Sequence, residues 1–187
     1  MTRTLISAKY VVPQAGKVLT NHYVEVEAGR IRGIKRFRDI DTTESFDYLD
    51  LGDVVIVPGF VNAHAALDES HLRGRVPFTG SFTAWLRTVV AGQSAAEEAA
   101  VVQGVRAGLD EVIRGGTTTI GDVSSTGFST GPLAESGLRS IVFFDVRNFD
   151  PELAETEVRR VRERLAAATE LEATTVRRDE RPLLMCG

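Results

Sequence analysis

The side chains best suited to chemistry crowd into one stretch between Val57 and Arg75, which holds His64, Asp68, Glu69, His71, Arg73 and Arg75. Imidazole and carboxylate together are the donors that divalent ions prefer. Val57 leads through Pro58, Gly59 and Phe60 to Asn62 and His64, so an apolar strand would deliver His64 at its C-terminal end. That end is where barrels of alternating strands and helices build their active sites. His71 reads either as a ligand, with Asp68 and Glu69 beside it, or as a loop residue; nothing in the spacing fixes a geometry. Asp68 reads as polar recognition of a substrate or as a solvated loop acid. Asp122 and Asp145 close later strands, where a carboxylate orients substrate or caps the following turn. Arg73 and Arg75 would neutralise an acidic group or simply be solvated, and His22 reads as a surface residue.

The elements that must position these groups fall into two textures. Residues 1–57 are short strands with turns: Leu5–Val12 ending at Pro13, Tyr23–Glu27 in period-2 alternation, a turn at Ala28–Arg30, then Ile31–Ile34, Tyr48–Leu51 and Val54–Val57. Residues 58–187 alternate helices with strands. Phe82, Trp85, Leu86, Val89 and Val90 make one apolar helical stripe after Ser81. Ser94 and Glu97 have capping-box spacing ahead of a second stripe, Val101, Val105, Leu109, Val112 and Ile113. Gly115 and Gly116 end that helix before the strand Thr117–Ile120; Ser140–Phe144 is a further strand. Asp150–Pro151 predicts a helix start with Ala154, Val158, Val161 and Leu165 on one face, and Pro182–Met185 a last strand. Strand–helix alternation of this kind implies a parallel sheet. A whole eight-unit barrel needs about 250 residues, so residues 58–187 would carry roughly half of one; an open parallel sheet is the competing architecture.

Composition narrows the function classes. Of the 187 residues 43% are apolar and 26% charged, an ordinary globular balance that excludes a disordered tail or a membrane bundle. Net charge is −4, which gives no electrostatic case for nucleic acid. The arginines between Val158 and Arg164 alternate with Glu157 and Glu163 and read as a solvated helix face. The glycines form no phosphate-cradling loop. The single cysteine, Cys186, the lack of an apolar leader and of a membrane-length apolar run together suggest a cytoplasmic address.

Pro58-Gly-Phe-Val-Asn-Ala-His64 resembles the first metal-binding strand of the amidohydrolase superfamily, in the branch of cytosine, guanine, adenosine-analogue and aminofutalosine deaminases and chlorohydrolases. Leu72–Pro77, Ser81–Trp85, Gly116–Asp122 and Ile141–Pro151 are similar to other segments of these enzymes, in the same order. The resemblance implies a small β-sandwich portion at 1–57 and the first three or so units of a (β/α)8 barrel at 58–187. It implies a zinc or iron ion that activates water for hydrolytic deamination, or dechlorination, of an aminated heterocycle. It carries over one metal ligand, His64, and places Asp68 at the substrate mouth. Ala66 stands where the family's second histidine does, and the family's later ligands and its acid/base glutamate fall past residue 187. No catalytic residue is therefore assigned, and the chain by itself is expected to be inactive, with no tightly bound metal. The alternatives are a non-catalytic relative acting in binding or assembly, and an unrelated open α/β domain. A half-barrel would also expose an apolar sheet edge suited to self-association.

Overall fold

The computed structural model describes residues 3–43, 45–146 and 151–175. Contacts divide the chain into two compact units, Met1–Pro58 and Gly59–Gly187.

The first unit is built of strands: β1 (Arg3–Ser7), β2 (Tyr10–Gln14), β3 (Lys17–Leu19), β4 (His22–Glu27), β5 (Arg30–Arg36), β6 (Phe46–Asp50) and β7 (Val55–Ile56). They form one sheet in the order β5-β4-β1-β6 and another in the order β3-β2-β7. The strand expected over Leu5–Val12 is two strands, because the chain breaks at Ala8–Lys9, where the Lys9 amide turns to the Gly52 carbonyl. Pro13 does not end β2 but lies inside it, in the irregular stretch between Val11 and Gln14 where pairing with β3 shifts; there its missing N–H costs no ladder bond. The turn from β4 to β5 puts Ala28 at φ 51° and Gly29 at φ 72°, the left-handed pair of a type I′ hairpin, whose twist matches the strands it joins. Leu5, Val11, Tyr23 and Val24 are buried. Glu25, an acidic position of the β4 alternation, is buried with them and bridges Arg3 Nε (2.5 Å) and Lys35 Nζ (2.5 Å). The Lys35 ammonium foremost, with Arg3 behind it, holds the Glu25 carboxyl below its usual range against the opposing effect of burial.

The second unit runs β8 (Phe60–Ala65), a 3-10 helix (Leu67–Leu72), α1 (Phe82–Ser94), α2 (Glu98–Arg114), β9 (Thr117–Ser124), α3 (Thr130–Ser136), β10 (Arg139–Phe144), a 3-10 turn (Pro151–Leu153) and α4 (Ala154–Thr175). β8 and β10 both pair parallel with the central β9, giving a mixed α/β fold with helical crossovers. The Ser81 hydroxyl accepts from the Ala84 amide and starts α1. The expected capping box does not form: Ser94 is the last residue of α1 and donates its hydroxyl to the Val90 carbonyl, so α2 starts after Glu97 instead. Val101, Val105 and Leu109 of α2 join Leu67, Ile120 and Leu133 in the core. Of the α1 stripe Val89 alone is buried; Phe82 is 65% exposed, Leu86 41% and Val90 43%. On α4, Val161 is buried and Val158 exposed. The Asp150 cap and the strand at Pro182–Met185 lie outside the described residues. No helix among the described residues is long and apolar enough to cross a membrane.

Candidate functional site

The candidate site is the exit of β8. Gly116 turns the chain with φ 83° at the foot of β9, and its carbonyl accepts from the Phe60 amide, which sets β8 beside β9. The pairing then shifts between Asn62 and Ala65, a bulge that spans Ala63 and His64. His64 is exposed, and its backbone amide donates to Asn62 Oδ1 at 3.2 Å. Ala66 has left the strand and opens the 3-10 helix. The bulge explains why strand periodicity alone describes this end poorly: an inserted residue resets which way the following side chains face.

Asp68 is buried, 1% exposed, and faces inward. Its Oδ2 accepts from Ser124 Oγ (2.7 Å), the Thr126 amide (2.9 Å) and Thr126 Oγ1 (2.7 Å). The two hydroxyls in turn accept from the Gly127 and Phe128 amides, so one carboxylate organises the whole loop after β9. Asp122 is fully buried too, and reaches across to accept from the Leu67 amide at 2.8 Å rather than capping its own turn. Burial pushes the Asp122 carboxyl upward; the Leu67 amide and the Ser129 hydroxyl oppose this, and the nearby Asp68 charge adds to it. His71 Nδ1 lies 2.7 Å from the Asp68 carbonyl, an acceptor, so that nitrogen carries the hydrogen. Arg73 pairs with Glu111 on α2, and the Asp145 amide donates to the Ser124 carbonyl. His22 bonds the Thr20 carbonyl through Nδ1, away from this group in sequence and in the other unit.

The structure thus joins Asp68, His71 and Asp122 at one corner and leaves His64 outside their hydrogen bonds. Sequence reasoning missed Ser124, Thr126 and Ser129 as members of that corner. The available signal was the run Ser124-Ser125-Thr126 directly after a strand, a composition that favours side-chain-to-backbone turns. A divalent ion needs three or four donors around it. Among the described residues no group of three or more His, Cys, Asp or Glu is placed to hold one. His64 alone, with Ala66 after it, does not fit the metal that the first-strand pattern implies.

Residues 55–177 match the amidohydrolase family. The chain belongs to that family. Helicobacter pylori aminofutalosine deaminase, solved with methylthio-coformycin, superposes with a TM-score of 0.74 at 18% identity, covering 98% of this chain and 43% of that one. An adenosine deaminase from Xanthomonas campestris with bound zinc gives 0.65 at 25% identity, covering 98% and 41%. Guanine deaminase from C. acetobutylicum with bound guanine gives 0.70 at 15% identity, covering 98% and 45%. No curated protein sequence matches the chain. This amidohydrolase chain spans less than half the length of these solved relatives.

Proposed function

We propose that the chain is the N-terminal portion of an amidohydrolase protein whose reaction class is hydrolytic deamination, or dechlorination, of an aminated heterocycle. In this reading residues 1–57 form part of a β-sandwich and residues 58–187 the first units of a barrel, with His64 its one metal-facing ligand and Asp68 fixing the loop that borders the substrate mouth. What carries the reading is the family match over 55–177 together with His64 at the C-terminal end of the first parallel strand of unit two. By itself the chain does not catalyse this reaction, since one imidazole supplies too few donors to fix an ion and activate water.

The test is calorimetric titration of zinc into the unmodified chain and into Ala66→His, with ammonia release from adenosine and guanine followed in parallel. The unmodified chain should bind zinc no better than an exposed histidine does. Ala66→His should bind at least about tenfold tighter, because a second imidazole adds a ligand, and neither form should release ammonia. Stoichiometric zinc binding by the unmodified chain that His64→Ala abolishes would overturn the ligand assignment.

A second reading, binding or assembly without catalysis, draws on the apolar surface of the second unit. Phe60 is 58% exposed and Val61 69% on β8, and Phe82, Leu86 and Val90 of α1 are exposed as well. β8 and β10 are the edge strands of their sheet among the described residues. A second copy of the chain is the occupant this reading assigns to that surface.

A further inference from the structure

We propose that Asp122 carries a proton in the folded chain, and that this neutral carboxyl is the clasp joining the exit of β8 to the end of β9. The proposal stands on the described residues alone and is independent of the catalytic reading above.

The geometry is a ladder of consecutive residues against alternate ones. Asp122 and Ser124, two apart on β9, share a face. Leu67 donates its amide to Asp122, and the next residue, Asp68, accepts from Ser124. The two carboxyls are therefore brought to the same side of β9, both fully enclosed. Each is half satisfied. Asp68 Oδ2 and Asp122 Oδ1 have donors, whereas Asp68 Oδ1 and Asp122 Oδ2 are buried without a hydrogen-bond partner. Ser129, which is fully buried and sits beside Asp122, likewise has a hydroxyl without a well-formed hydrogen bond.

Charge decides what this corner holds. Two enclosed carboxylates with no counter-ion would cost far more than their hydrogen bonds return. Among the described residues no ion pair reaches either one. Asp68 is the charged group whose field is felt at Asp122. Of the other ionisable groups on the packed elements, His71 is held on the Asp68 carbonyl and keeps Nε2 buried and unpartnered, and Glu69 is half-buried on the same 3-10 helix. Arg73–Glu111 and Arg106–Glu135 are exposed pairs that satisfy each other. Arg139 and Asp145 lie at the two ends of the β10 segment, and His64 on β8 is exposed. A proton on one of them resolves the conflict, because burial disfavours the charged form. It belongs on Asp122, whose carboxyl burial pushes upward and whose Oδ2 lacks a well-formed hydrogen bond, whereas Asp68 Oδ2 accepts three. As pH rises and the proton leaves, the two charges oppose each other and the Leu67–Leu72 helix loosens from β9.

The experiment is a carbon NMR titration of the aspartate carboxyls in the intact chain, assigned with Asp122→Asn and Asp68→Asn, alongside amide exchange at Leu67 and Thr126. At neutral pH the Asp122 carboxyl should show the protonated shift. Asn mimics a protonated carboxyl, so Asp122→Asn should leave Thr126 protection within about threefold, whereas Asp68→Asn should cut it at least about tenfold by disrupting the acceptor of the Thr126 amide. Should a variant fail to fold, the titration of the unmodified chain still decides. The proposal is overturned if the Asp122 carboxyl is ionised at neutral pH, if the two variants lower protection equally, or if chelating divalent ions shifts either resonance, which would put a cation in the proton's place.

Discussion

Gly104 of α2 lies directly against the backbone of His71: a methyl group built on it would come within 2.5 Å of the His71 nitrogen and 2.7 Å of its Cα. The 3-10 helix that carries Asp68 and His71 is thus seated on α2 through a residue with no side chain. This contact presses the exit of β8 into the core formed by Leu67, Val105 and Leu109.

Gly104→Ala sets two effects against each other. Alanine improves helix propensity by about 1 kcal/mol, while overpacking against a backbone that cannot rotate away costs about 1–3 kcal/mol. A net loss of about 1 kcal/mol should appear as a lower midpoint in urea. Gly108→Ala meets chiefly the Ser70 hydroxyl, a movable group, at 2.6 Å, and should be the milder change. Equal stability of Gly104→Ala and the unmodified chain would mean that α2 is not seated this closely.

Ala28 pays for its hairpin with a left-handed backbone, φ 51°, which costs a residue bearing a Cβ about 1 kcal/mol or more. Asn-Gly is the pair that type I′ turns favour. Ala28→Asn should therefore raise stability by about 0.5–1 kcal/mol without altering the β4–β5 register, which two-dimensional NMR would check alongside denaturant melts. Destabilisation would argue against a type I′ turn there.

How legible all this was from the residues depended on the range of the interaction. The strands expected at Thr117–Ile120 and Ser140–Phe144 rest on local patterns and form, the first running on to Ser124; of the stripe from Val101 to Ile113, Val101, Val105 and Leu109 enter the core while Ile113 stays exposed. Ser94 misled because its hydroxyl had two local uses, a cap for the next helix or a bond to the preceding turn, and tertiary placement chose the second. Asp68 and Asp122 show the larger gap. Each looked like a strand-end or loop carboxylate, but their partners lie more than 50 positions away in sequence, at 56 and 55 residues respectively. Chemistry-bearing residue types were visible; which way each carboxylate faced was not, since only the packing of Leu67–Leu72 on β9 and α2 turns them inward. Three of the five α1 stripe residues, Phe82, Leu86 and Val90, remain exposed among the described residues for the complementary reason, that periodicity marks an apolar face without naming what packs on it.

The Arg3–Glu25–Lys35 bridge predicts an acid limb of stability. The Glu25 carboxyl is held below its usual range in the folded chain, so the folded state binds its proton less readily than the unfolded one. The contribution is accordingly present above the unfolded glutamate range and is lost as pH falls through the folded value. Glu25→Gln should flatten this limb, so that the variant and the unmodified chain converge in stability at low pH and separate toward neutrality. Parallel curves across that window would show that the bridge contributes nothing that titrates.

The exposed apolar surface of the second unit predicts concentration-dependent association. Phe82, Leu86 and Val90 on α1 and Val61 on β8 are each more than 40% exposed. Burying a Phe or Leu side chain contributes about 1.5–3 kcal/mol, so a few of these meeting a second copy suffice for micromolar affinity, about 8 kcal/mol, once the cost of association is met. Light scattering from micromolar to millimolar chain should therefore show mass rising with concentration. Phe82→Ser together with Val90→Thr should shift that rise to higher concentration without lowering the melting temperature, because neither side chain contributes to the core. Val61→Thr should act in the same direction through the β8 face, threonine keeping the β-branched shape that a strand favours. A mass that stays monomeric over the whole range, or a double variant that associates as strongly as the unmodified chain, would mean that this surface is not where copies meet.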